Sequence, residues 1–186
     1  MWASCNLGAT KPEDFGLYFA WGETEGYSGP TDTKQFAWSD YKFSIDGSSS
    51  NFSEYNSTDG KTTLELVDDA AYQSDNTCRM PTSGECKELI DNTTSAWTSV
   101  NGVNGIQLTS KKEGYTDKSI FIPAAGYVYH GSLRDVGSKG YVWSSSLRSG
   151  YPYYALTMRF LSGSVSMIND LSRYYGFSVR PVKSNN

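Results

Sequence analysis

Tyr141-Val-Trp-Ser-Ser-Ser-Leu147 opens a stretch that runs on through Arg148-Ser-Gly-Tyr-Pro-Tyr-Tyr154, Ala155-Leu-Thr-Met-Arg-Phe-Leu161, Ser162-Gly163-Ser-Val-Ser-Met-Ile168 and Asn169-Asp-Leu-Ser-Arg-Tyr-Tyr175. It closes on Gly176-Phe-Ser-Val-Arg-Pro-Val182. Around the Ser162-Gly163 turn, Phe160, Val165 and Met167 alternate with Arg159, Leu161, Ser164, Ser166 and Ile168. Period-two alternation about a Gly-containing turn predicts two paired strands with one packed face and one face free to vary. The stretch contains no Lys, Glu or Gln, yet it holds six of the fourteen tyrosines and four of the six arginines. At the frequency of those three absent residues in the rest of the chain, about six would be expected here. Tyr, Ser, Gly, Asn and Arg are the residues of binding surfaces: Tyr gives amphipathic contact area at low entropy cost, Arg gives planar hydrogen bonding, and small residues adapt.

The remaining composition agrees with a β-rich domain. A chain of 186 residues fits one domain able to bury a core without metal or disulfide support. Apolar content of 38%, with 15% aromatics and 18 glycines, points to an α+β, loop-rich fold with mostly short strands and one or two helices. A net charge of -4 is the wrong sign for a general phosphate-backbone binder, so no nucleic-acid partner is expected. No apolar run reaches membrane-span length, so direct membrane insertion of this domain is not expected; Met1 leads into Trp2 with no leader-like segment. Cys78 and Cys86 are close enough in sequence to form a disulfide, with Cys5 left over; the simpler reading is three small buried hydrophobes.

Elsewhere, Thr82-Ser-Gly-Glu85 has capping-box spacing, and Cys86, Leu89 and Ile90 follow on one helical face, predicting a helix from Ser83 to Asp91. A weaker helical pattern covers Thr63 to Tyr72. The Ser/Asn/Gly-rich run from Asp46 to Lys61 reads as surface loop, and strand and turn signals follow residue 94, with turn dipeptides at Asn101-Gly and Asn104-Gly. The sequons at Asn51, Asn56 and Asn92 are most simply chance in so Asn/Ser/Thr-rich a chain.

Six ordered motifs carry a resemblance: Trp2-Ala-Ser-Cys-Asn-Leu-Gly-Ala, Phe19-Ala-Trp-Gly-Glu-Thr, Arg79-Met-Pro-Thr-x-x-Glu-x-x-Glu-Leu, Ile120-Phe-Ile-Pro-Ala-Ala-Gly, Trp143-Ser-Ser-Ser and Gly176-Phe-Ser-Val-Arg-Pro-Val. Together they resemble the bacterial major paralogous domain family over nearly the whole chain. The resemblance implies a C-type-lectin-like fold of the formylglycine-generating-enzyme subtype, with N- and C-terminal strands adjacent. It departs from the family pattern at Cys78, where Trp is usual, and in lacking a strand before Trp2, which implies a domain taken from a longer protein. Within that family the C-terminal segment is similar to the variable proteins of diversity-generating retroelements. There, randomised adenines turn Asn codons into codons ending in C or T, which cannot encode Lys, Glu, Gln, Met or Trp; Trp143, Met158 and Met167 would then be fixed core positions.

The resemblance implies a variable region over about 143–182. The ligand-binding positions it implies are Arg148, Gly150, Tyr151, Tyr153, Tyr154, Leu156, Thr157, Arg159, Leu161, Ser164, Ser166, Ile168, Asn169, Asp170, Leu171, Ser172, Tyr174 and Tyr175. Tyr151, Tyr153, Tyr154, Tyr174 and Tyr175 would be exposed anchors, Arg148 and Arg159 polar or cation-π contacts, and Ser164, Ser166 and Asn169 adaptable hydrogen-bonding groups. Trp143, Arg173 and Arg180 are read as structural, with Arg180 anchoring a C-terminal strand from Phe177 to Val182 near Trp2. The implied function is a hypervariable receptor- or adhesin-type domain at a bacterial cell surface or outside the cell, whose partner is a protein or glycan on another surface. The alternative is a fixed-specificity adhesion or carbohydrate-binding module of the same fold.

Enzyme chemistry is not expected. No cysteine follows Cys86, so the late cysteine pair of the enzyme that names the fold subtype is absent. His130 has no nucleophile motif around it and reads as structural. Glu85 with Glu88 reads as capping and solvated, and no Asp-x-Asp-x-Asp-Gly loop, animal-lectin calcium motif or Gly-rich phosphate loop is present, so no metal or cofactor is expected.

Overall fold

The Ser162-Gly163 turn joins the two strands that the alternation predicts, and the rest of the chain is arranged around them. The computed structural model describes residues 1–29 and 33–184, with Asn169 described by its backbone alone. In chain order the elements are β1 (Tyr18–Phe19), α1 (Ala70–Ser74), β2 (Cys78–Arg79), α2 (Ser83–Asp91), β3 (Thr93–Val100), β4 (Val103–Ser110) and β5 (Ser119–Pro123). There follow β6 (Tyr127–Tyr129), β7 (Ser132–Arg134), β8 (Lys139–Leu147), β9 (Tyr154–Leu161), β10 (Ser164–Ser172), β11 (Phe177–Ser178) and β12 (Val182–Lys183). Strand dominates helix, and most pairings are antiparallel, as expected for the α+β reading.

The largest sheet has the order β1-β11-β8-β9-β10 and separates two hydrophobic clusters. On one side Val142, Met158 and Phe160 are fully buried with Cys86, Ile106, Leu108 and Ile122, and Val165 and Met167 pack against them. On the other side lies an aromatic core that includes Trp21, Phe36, Tyr55, Trp143 and Phe177. Gly140 sits directly opposite Phe160, and a Cβ there would meet the ring at 2.0 Å, so only glycine fits beneath that side chain.

Helix α2 spans Ser83–Asp91 because both halves of its capping box form: Thr82 Oγ1 accepts from the Glu85 N–H and the Thr82 N–H donates to Glu85 Oε2. Arg79 then donates to both Glu85 oxygens, tying β2 to the helix start. The β3–β4 hairpin turns at Asn101-Gly102, whose φ values of 49° and 83° are those of a type I′ turn. Asn104-Gly105, in contrast, lies inside β4, where Gly105 leaves room for Phe121 and the Ile122 carbonyl.

The predicted helix over Thr63 to Tyr72 is replaced by a 3-10 turn at Leu66–Asp68 and the short α1. Thr63 bridges Ser146 and the Leu64 N–H donates to Ser145, which draws the start of the segment into extended backbone. Asp69 caps α1 while also accepting from the Met80 N–H. The predicted strand from Phe177 to Val182 is also divided. Phe177 and Ser178 join the main sheet, Val182 and Lys183 pair with β2, and Pro181, which lacks an N–H, lies in the crossing between them.

The chain ends are adjacent, since Trp2 bridges Val182. Arg180 is fully buried at that closure, donating from Nε to Asn6 Oδ1 at 2.9 Å and from its terminal nitrogens to the Ala3 and Phe121 carbonyls. Arg173 is equally buried. It donates to the Tyr55 and Glu54 carbonyls and stands 4.2 Å from the Phe52 ring centroid, with Trp21, Tyr41 and Phe43 also around it. Both are scaffold arginines.

Candidate functional site: a tyrosine and arginine face

Three cross-strand rows define one face of the main sheet. Lys139 on β8 stands opposite Leu161 on β9, which faces Ser164 on β10; Tyr141, Arg159 and Ser166 form the next row, and Trp143, Thr157 and Ile168 the third. Directly opposed residues share a face, so Thr157, Arg159, Leu161, Ser164, Ser166 and Ile168 project together, away from the Met158 and Phe160 side. Exposure rises along these rows toward the hairpin: Thr157 is buried, Arg159 and Leu161 are half-buried, and Ser164 is exposed. A bulge between Ile168 and Leu171 then carries the exposed Asp170 and the Asn169 backbone before Leu171 and Ser172 pair with Ala155 and Tyr154.

An aromatic floor adjoins these rows. Tyr141 stacks on Phe177 at 4.9 Å, Tyr127 meets Tyr141 at 5.2 Å and Tyr175 at 5.8 Å, and Tyr129 meets Tyr175 edge-on at 5.1 Å. Burial, reinforced by the Asp135 carboxylate that accepts from its hydroxyl, raises the Tyr141 phenol well above its usual range. Burial also raises Tyr175, and the Arg173 N–H, two residues before it, donates to the Tyr153 carbonyl, which brings the start of β9 beside this floor. These phenols therefore stay neutral donors and acceptors at physiological pH.

A third group sits on the β8–β9 connection. Arg148 lies over the Tyr151 ring at 4.2 Å and over Tyr154 at 5.4 Å, and Tyr153 packs edge-on against both tyrosines. Gly150 takes φ 74°, which lets the loop turn back. Tyr151, 45% exposed, is the most open ring of the group.

Two of the sequence-predicted positions are corrected by this geometry. Thr157 is wholly buried because Trp143 and Ile168 flank it from both neighbouring strands. Tyr174 is buried by Trp38, whose ring lies at 4.7 Å, and by Tyr129 and Tyr175, so it belongs to the core beneath the floor and not to the exposed anchors. Leu156 is half-buried and has, like Tyr154, the opposite strand parity from Thr157 and Arg159, so neither joins their rows; Tyr154 meets the site through Arg148 and Tyr153 at the β8–β9 connection. The Asn169 side chain lies outside the described residues. Arg148, Gly150, Tyr151, Tyr153, Tyr154, Arg159, Leu161, Ser164, Ser166, Ile168, Asp170, Leu171, Ser172 and Tyr175 are all at least partly accessible.

Tyr127, Tyr129, Arg134 and Tyr141 were not among the predicted site residues, yet they complete the floor. The signal was in the sequence: Tyr127 and Tyr129 flank the fully buried Val128, a period-two pattern that turns both rings to one side. His130, exposed in the β6–β7 turn with φ 45°, packs on Tyr129 at 4.3 Å. The carboxylates of Glu54, Glu65 and Asp68 converge closely enough to hold a cation, but Lys61 bridges the first two, while Lys42 and the Tyr55 hydroxyl bind Asp68. Each of the three carboxylates thus already has a lysine partner, two of them sharing Lys61.

A cleft of about 600 Å³ lies far from the tyrosines, between α2 and the chain ends, lined by Trp2, Glu88, Leu89 and Lys111 among others. The hollow touching Arg148, Gly150 and Pro152 is about 150 Å³, below the usual size of a small-molecule site. No family model matches the chain, and neither does any curated protein or solved structure. No helix among the described residues is long and apolar enough to cross a membrane.

Proposed function

We propose that the chain is a non-enzymatic ligand-binding domain of C-type-lectin-like fold, of receptor or adhesin type and displayed at a bacterial surface, whose C-terminal segment is diversified by a retroelement. Its ligand is held by the tyrosine and arginine face of β8, β9 and β10. The observation that carries this reading is the division of labour along one hairpin. Met158, Phe160, Val165 and Met167 pack into the core, while Arg159, Leu161, Ser164, Ser166 and Ile168 stand on the other face. Arg159, Leu161, Ser164 and Ser166 can change without removing core volume, which is what a tolerant, diversifiable surface needs, whereas Ile168 packs against the aromatic core. The ring-lined floor beside them supplies rigid amphipathic contact area.

The burial of Thr157 and Tyr174 favours the second reading at those two positions, since a randomised codon there would often break the core. That reading is a fixed-specificity adhesion or carbohydrate-binding module using the same face. Sequencing the DNA flanking the coding region separates the two. Diversification requires a near-copy of the codons for residues 143–182, with adenines opposite the variable positions, and a reverse-transcriptase gene nearby. A locus with neither refutes diversification and leaves the fixed module.

A further inference from the structure

The six arginines divide into two sets. Arg79 donates to Glu85 and to the Met80 carbonyl, Arg173 to the Tyr55 and Glu54 carbonyls, and Arg180 to Asn6, Ala3 and Phe121. Arg134, Arg148 and Arg159 make no side-chain hydrogen bond and no ion pair among the described residues, and Arg159 Nε is enclosed without a partner. These three are the arginines of the tyrosine face. Arg134 lies over Tyr129 at 5.4 Å, Arg148 over Tyr151 and Tyr154, and Arg159 is paired across the strand with Tyr141. Ring contacts link the surroundings of Arg134 and Arg159, since Tyr129 and Tyr127 both meet Tyr175 and Tyr127 meets Tyr141; the Arg148 group adjoins them through the Arg173 N–H, two residues before Tyr175, which donates to the Tyr153 carbonyl.

The charge balance points the same way. From β7 through β10 the basic residues are Arg134, Lys139, Arg148 and Arg159 and the acidic ones Asp135 and Asp170, so this segment is positive by two. Of the chain's 16 basic and 20 acidic residues, twelve basic and eighteen acidic then remain elsewhere. Lys139 and Asp135 already pair with each other at 2.9 Å, so the uncompensated charge is guanidinium. A guanidinium presents five donors in a planar fork whose natural complement is a carboxylate held bidentately. Three unmatched forks on a surface that excludes water with tyrosine rings are poised for acceptors that a partner must bring.

We infer that the tyrosine face binds an acidic polypeptide segment, with carboxylates of Asp or Glu engaging Arg134, Arg148 and Arg159 while its apolar and backbone groups lie on the tyrosines. This inference rests on the proposed binding role of the face and adds the chemistry of its partner. A glycan fits less well. Sugar rings need open aromatic faces, whereas Tyr127, Tyr129 and Tyr175 turn their faces and edges into one another, at 5.8 Å near-parallel and 5.1 Å edge-on. The hollow at Arg148 is also too small to enclose a ligand, which leaves an extended surface contact.

The test is selection of a random linear peptide library displayed on phage against the immobilised domain. It is run in parallel on wild type, on Arg134→Gln/Arg148→Gln/Arg159→Gln, and on Tyr151→Ala/Tyr175→Ala, each checked for native circular dichroism. Peptides selected by wild type should be enriched in Asp and Glu about twofold or more over the unselected library, and their binding should weaken as salt rises. Each Arg→Gln change should cost a selected peptide about tenfold in affinity, and the triple variant should lose the acidic enrichment. Failure to select any peptide overturns the inference, as does enrichment without acidic bias or acidic bias that the triple variant retains. So does binding to uronate- or sialate-bearing glycans in place of peptides. Loss of binding in the tyrosine variant without any acidic bias would overturn the inference while leaving the face as the binding site. Binding indifferent to both sets of substitutions would overturn the binding role itself.

Discussion

Replacing Thr157 by Val should stabilise the domain. Thr157 is fully buried between Trp143 and Ile168, and its Oγ1 is enclosed with no hydrogen-bond partner. Valine has nearly the same shape, so the exchange removes an unmatched polar atom without opening a cavity. A buried donor or acceptor left unsatisfied costs about 1–3 kcal/mol, and taking the low end for a rotatable hydroxyl gives a gain of about 1 kcal/mol. For a domain of this size that corresponds to a rise in melting temperature of about 2–4 °C. The converse change, Thr157→Tyr, inserts a ring where two neighbouring strands already pack and should cost about 3 kcal/mol. Ser164→Tyr, on the same face but exposed beside the hairpin, should stay within about 0.5 kcal/mol of wild type. Urea denaturation of the three variants, extrapolated to water, reads all of these values. Destabilisation of Thr157→Val by about 1 kcal/mol or more, with an unchanged circular dichroism spectrum, would refute the reasoning, because the hydroxyl would then be making an interaction that the register denies it.

Removing the Arg180 guanidinium with Arg180→Met should cost about 3–4 kcal/mol, because Asn6, Ala3 and Phe121 lose their donor at a site buried enough to pull the arginine down to about 10; chemical denaturation measures it. Gly140→Ala would place a methyl 2.0 Å from the Phe160 ring and should lower stability by about 3 kcal/mol, read from the shift in urea midpoint. Glu85 is held at about 2, chiefly by the Arg79 guanidinium, against an ordinary value of 4.5. A depressed carboxylate contributes stability that is present above its unfolded value and lost as pH falls through the folded one. Unfolding free energy should therefore drop by about 1 kcal/mol between pH 4.5 and 2 from this group after allowance for solvent screening, and Arg79→Ala should flatten that part of the pH profile.

What was legible in the sequence is what local chemistry determines. Thr82 and Glu85 set the start of α2 within one turn of chain, and Asn101-Gly102 and Ser162-Gly163 set two hairpins, so these elements stand where the pattern places them. The packed side of the β9–β10 hairpin was equally visible, because Phe160, Val165 and Met167 repeat every second residue. The segment at Thr63 to Tyr72 misled, because its helical spacing gives way to backbone bonds with Ser145 and Ser146 some eighty residues away. Thr157 and Tyr174 misled for a related reason. Each looks like a surface residue in its own strand or turn, and each is buried by partners from elsewhere: Trp143 from β8 in one case, Trp38 and Tyr129 in the other. The division of the arginines was legible in part: Arg173 and Arg180 read as structural and Arg148 and Arg159 as surface contacts, but the place of Arg134 and the carbonyls that saturate Arg173 and Arg180, more than fifty residues distant, were not visible.

The account centres on the claim that the exposed rows of β9 and β10, with the adjoining tyrosine floor, form a replaceable binding surface on a fixed scaffold. Its most direct measurement is a displayed library randomised together at Arg148, Tyr151, Tyr153, Tyr154, Arg159, Ser164, Ser166 and Tyr175. The library is sorted first for folding and then for binding to several unrelated proteins. The account predicts that most members fold and that different targets select different residues at these positions, with Trp143, Thr157, Met158 and Phe160 untouched. A library in which most members unfold, or in which no target selects a distinct binder, would contradict it.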